Sequence, residues 1–222
     1  MIILLLILSV LIGVFLGKFF GEREKFAKNL LIVSAGFLIT ICLNEVFPEV
    51  YSGEHHNIGI WVIGGVLLQM LLENLTKGFE HGHFHHPLAL MVGLFVHAFL
   101  EGIPLANEKE LLSPYLTGIL VHNIPISFIL GAFLVKNKSF SASSFLIIAL
   151  FALASPLGLL LGKYFDPNLK VYFLALVGGI FLHISSVIIF ESNKNHNVDW
   201  QKIGFVTLGI LLAMTGHLFH QH

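Results

Sequence analysis

The chain contains one cysteine, Cys42, among 222 residues. Neither an intramolecular disulfide nor a cysteine-built zinc cluster is therefore open to it, and a bound metal has to rely on histidine and carboxylate ligands. Charge is scarce too. Asp, Glu, Lys and Arg make up 11% of the residues, against about 25% in a soluble domain, which excludes an ordinary water-soluble fold. A formal net charge of −1 offers no argument for a nucleic acid partner, and none is expected. What the chain has instead is apolar bulk: 56% hydrophobic residues and a mean hydropathy of +0.87. Its solvent is a lipid bilayer.

A helix needs about 20 residues to cross ~30 Å of hydrocarbon, and that window predicts an all-α polytopic protein of eight spans. They fall near 2–20, 28–48, 57–77, 88–106, 113–135, 141–162, 170–191 and 200–220, within a single transmembrane domain covering 1–222. The first lacks a basic leader and a small-residue cleavage motif and reads as a retained helix. Breaks are short and rich in turn residues, as at Ser52-Gly53, Asp166-Pro167-Asn168 and Ser192-Asn193.

Orientation follows from the basic residues. Odd-numbered loops hold Lys18, Arg23, Lys25, Lys28, Lys77, Lys136, Lys138, Lys194 and Lys202, whereas even-numbered ones hold only Lys109, Lys163 and Lys170. By the positive-inside rule both termini lie outside the cytoplasm, most naturally in the cell (inner) membrane.

A weak repeat relates spans one to three to spans six to eight. Gly13, Leu16, Gly17, Lys18 and Phe20 fall on Gly158, Leu161, Gly162, Lys163 and Phe165, and Gly65, Leu67, Leu68 and Met70 on Gly209, Leu211, Leu212 and Met214. Because the charge count gives the two triplets opposite orientations, this reads as an inverted repeat around a central pair, a 3+2+3 arrangement. Secondary transporters are often built this way, with their site at the midplane.

The central pair carries the residues a bilayer should exclude. His97 and Glu101 are one helical turn apart and project from one face. His97 and His122 each lie about nine residues, roughly 13 Å of rise, from the outer end of their spans, so the three are expected at one depth. Ionisable groups there are costly and usually functional, and two imidazoles with a carboxylate form a ligand set for Zn²⁺ with a position left open. Pro104, Pro125 and Pro156 deprive the carbonyls of Leu100, Val121 and Ala152 of their helical partners nearby.

With these motifs in view, H-A-F-L-E-G at 97–102 and H-N-I-P at 122–125, supported by V-S-A-G-F-L at 33–38, N-E-V-F-P-E at 44–49 and S-P-L-G at 155–158, the chain resembles the ZIP family of divalent metal transporters. The resemblance implies uptake of zinc or a related cation (Fe²⁺, Mn²⁺, Cd²⁺) into the cytoplasm by a homodimer, with no enzyme cofactor. It makes His97, Glu101 and His122 primary ligands and puts Asn123 beside a second metal position found in some members. Departures narrow this. Ile126 and Ser127 stand where a carboxylate and glycine often follow the proline, and Ala98 and Ser155 replace further ligands, which points to one main site.

Asn44, Glu45 and Glu49 at the outer end of span two are candidates for the entrance. His81, His83, His85 and His86 in the third loop are candidates for cytoplasmic metal binding, and His183 and Glu191 for the exit. Two other functions use the same ligands: an intramembrane zinc hydrolase, which needs a general base that these motifs lack, and a metal sensor that does not transport. Neutral imidazole is needed for binding, so acidification is expected to weaken uptake.

Overall fold

A computed structural model describes residues 1–53, 57–80, 87–111, 113–136, 142–190 and 199–220. Every regular element among these is helical, and they form eight helices: α1 (Ile2–Phe20), α2 (Glu24–Tyr51), α3 (Ile58–Glu80), α4 (Pro87–Gly102), α5 (Pro114–Lys136), α6 (Ala142–Gly162), α7 (Lys170–Phe190) and α8 (Trp200–His220). Five described stretches are long and apolar enough to cross a bilayer: Ile2–Phe20, Glu24–Tyr51, Pro114–Ala132, Ser144–Gly162 and Pro167–Phe190. Ile58–Asn74 and Val92–Ala106 are shorter apolar helices.

The helix ends follow from local chemistry. Ser113 caps α5 through its hydroxyl oxygen, which accepts from the Leu116 amide at 3.4 Å, with Pro114 preset at the first helical position. Asp199 caps α8 by accepting from the Lys202 amide at 3.0 Å. Two proline effects reshape spans expected to be uniform helices. Pro48 has no amide to donate to the Asn44 carbonyl, and α2 absorbs the loss with a π-turn over Cys42–Val46, in which the Phe47 amide reaches Cys42 O. Pro104 likewise ends α4, and the chain tightens into a 3₁₀ turn over Ile103–Asn107. Pro125 and Pro156 lie inside α5 and α6.

Packing sorts the helices into two groups. The tightest neighbours are α1 with α5, α4 with α6, α2 with α8, and α3 with α7. Each pair closes through glycine, where one backbone lies on another. A Cβ added at Gly17 would run into the Phe128 carbonyl, at Gly158 into that of Phe99, at Gly36 into that of Val206 and at Gly179 into that of Val62, each well under 3.0 Å. Contacts of α1 with α6 join the first two pairs, and contacts of α2 with α7 join the other two. The group α1, α4, α5, α6 has its own apolar core, centred on Val10, Val14, Ala98, Leu130, Phe151 and Ala154. Across the two groups α2 also packs closely on α5, with Ile41 against Gly118.

Candidate metal centre

The ligands expected from sequence come together. His97 sits on α4, one turn before Glu101 at the helix end, and His122 sits on α5, and each offers an atom within 4.8 Å of the others. All three are buried, Glu101 at 0% exposure. His97 Nε2 and Glu101 Oε1 are 2.6 Å apart, yet neither has the alignment of a hydrogen bond, and both carboxylate oxygens and His122 Nε2 lack a hydrogen-bond partner. An orphaned buried polar group costs about 1–3 kcal/mol, and more when charged. Three converging groups left in that condition suit an ion held among them rather than a network among themselves.

Surrounding groups fix the ligands. Ser34 Oγ on α2 lies 3.5 Å from His122 Nδ1, which leaves Nε2 for the centre, and the Phe181 ring on α7 meets the His122 ring edge-on at 6.2 Å. The Tyr115 hydroxyl donates to the Glu101 carbonyl at 2.9 Å, tying the start of α5 to the broken end of α4. On one side of the centre, toward the C-terminal end of α4 and the N-terminal end of α5, Leu105, Tyr115, Leu116, Ile119 and Phe181 are buried together. A cavity of about 240 Å³ opens beside His97, lined by Gln69, Glu73, Leu94, Ile126 and Val187 among others. Apart from Ile126 on α5, these residues lie toward the C-terminal ends of α3 and α7 and the N-terminal end of α4.

The remaining candidates are placed unequally. His183 is half-buried on α7 with its Nε2 3.1 Å from Oε2 of Glu73; Glu73 and Gln69 line the cavity, and neither stood out from the sequence. Asn123 is buried next to His122, and its carbonyl accepts from Ser127 Oγ at 2.6 Å. Asn44 is exposed, Glu45 half-buried, and Glu49 pairs with Lys170 at 2.9 Å on the surface, an interaction worth about 0–1 kcal/mol. Ile126 is an apolar wall residue of the cavity. Glu191 and His81, His83, His85 and His86 lie outside the described residues.

A family model for ZIP zinc transporters matches residues 87–218, well over half of the chain and all of α4 to α7. No curated protein matches it significantly.

Proposed function

The chain belongs to the ZIP zinc transporter family, whose members carry divalent metals across membranes, and from that premise we propose that it takes zinc into the cytoplasm through the His97, Glu101 and His122 centre. One observation carries the reading: three buried ligand atoms within 4.8 Å that make no hydrogen bond, with His97 itself in the wall of a cavity that also holds Gln69 and Glu73. Transport is favoured over hydrolysis or sensing because such a cavity supplies a release route.

The cycle begins with a hydrated cation reaching the centre from outside, where two imidazoles and the Glu101 carboxylate replace part of its water shell. Movement of α1, α4, α5 and α6 against α2, α3, α7 and α8 then exposes it to the inner cavity. Glycine seams hold each group together from within, which suits two bodies that move relative to one another. The same pairing supports an inverted repeat in a 3+2+3 order. Exchanging α1 to α3 with α6 to α8, and α4 with α5, turns the α1–α5 seam into the α6–α4 seam and α2–α8 into α7–α3. Gly17 and Gly162 then occupy equivalent seam positions.

Uptake of radiolabelled zinc into proteoliposomes of the purified protein tests the proposal. Saturable uptake in the native chain, lost in His97→Ala and His122→Ala, is the expected result; a folded native protein that binds zinc without moving it would make the chain a sensor. Along the exit, Glu73 with His183 is a way station, and Glu73→Gln is expected to slow release several-fold with little change in zinc affinity. Single-turnover efflux measures that rate, and an unchanged value would remove Glu73 from the route.

A further inference from the structure

Buried hydroxyls on apolar helices usually bond back to their own backbone. Here Ser9 donates to Leu6 O at 2.8 Å, Thr40 to Gly36 O at 2.8 Å and Ser127 to Asn123 O at 2.6 Å. Ser34 departs from this habit. At 2% exposure, its hydroxyl turns off its own helix toward His122 Nδ1 at 3.5 Å.

That contact crosses between the two helix groups. His122 rides on α5, whereas Ser34 is on α2 and Phe181, which meets the same ring edge-on, is on α7. His97 and Glu101 share one helix of the moving group, so His122 is the ligand gripped directly by the opposite group. A partner on the second imidazole nitrogen fixes ring orientation and tautomer, and its loss typically costs about 10–100-fold in metal affinity.

We infer that Ser34 is a positioning residue that sets the affinity of the centre according to which way the protein faces. In the arrangement with the inner cavity open, its hydroxyl holds the His122 ring with Nε2 aimed at the centre. When α5 slides past α2 that hold is released, and the ligand set binds with one imidazole free to turn. The inference rests on the transport reading and adds to it a difference in affinity between the two faces, the quantity that biases a carrier cycle.

Equilibrium zinc binding to the full-length purified protein, together with initial uptake rates in proteoliposomes, tests it in Ser34→Ala and Ser34→Thr. Ser34→Ala is expected to bind zinc about 10-fold or more weakly while its maximal uptake rate does not fall, because release inward becomes easier. Ser34→Thr keeps the hydroxyl and is expected to restore affinity. Unchanged affinity in Ser34→Ala, beside a native chain that binds and transports zinc, overturns the inference alone. Affinity and maximal rate falling together, without rescue by threonine, also overturns it and makes Ser34 a packing residue. A native chain that neither binds nor transports zinc removes the transport reading and the inference with it.

Discussion

Replacing Glu101 by glutamine is expected to reduce zinc uptake by about a hundredfold while leaving the protein folded. The side chain keeps its length and one oxygen but gives up its charge, and Glu101 is the sole carboxylate of the three-residue centre. A cation drawn out of water must be compensated by the groups around it, and two neutral imidazoles do not neutralise it. Removing one member of a buried charge contact costs on the order of 3 kcal/mol, which is a factor of about a hundred in binding. Initial uptake rates over a range of zinc concentrations measure the loss. A variant that transports like the native chain would remove Glu101 from the pathway.

Gly158→Ala is expected to destabilise the protein by about 3 kcal/mol, at the upper end of overpacking costs because the obstacle is backbone rather than a side chain that can turn aside. The added methyl would meet the Phe99 carbonyl, with Gly102 Cα close behind, and would pry α6 from α4 at the turn that carries Glu101. For a chain of this size that corresponds to a fall in Tm of roughly 10 °C. Gly204→Ala is the matched control: nothing lies within 4 Å of its added carbon, and in a helix alanine is favoured over glycine by about 1 kcal/mol. Thermal unfolding in detergent compares the two. Equal Tm values would mean that the α4–α6 seam yields easily.

Much of this was legible in the sequence because a bilayer makes simple demands. Apolar runs of helix-spanning length gave α1 and α5 to within a residue at each end, and histidine and glutamate at mid-depth stood out against such a background. The C-terminal part of α2 was less legible, since the adjustment to a missing proline amide can be a kink, a π-turn or a 3₁₀ turn, and no local sequence pattern selects among them. The Glu73 to His183 contact joins residues 110 apart in the chain, and no local pattern announces such a pair. Ser34 was hidden for another reason. Serine is ordinary on membrane helices, and only the direction of its hydroxyl distinguishes it. The grouping of helices also escaped sequence reading, because each tight pair joins helices that are not consecutive.

His97, Glu101 and His122 all belong to one of the two helix groups, and on the proposed transport reading this changes what must cross the membrane. If the ligands were split between groups, the ion would be handed from one half-cage to another, and the rate would be governed by how reluctantly it gives up each partner. On that reading, a cage on a single body would let the passenger keep its seat while the compartment travels. The work of a crossing then falls on the boundary where one body moves along the other and on the lipid tails that must rearrange around it. Turnover on this plan is expected to respond to bilayer thickness and fluidity as well as to the ligands that hold the ion.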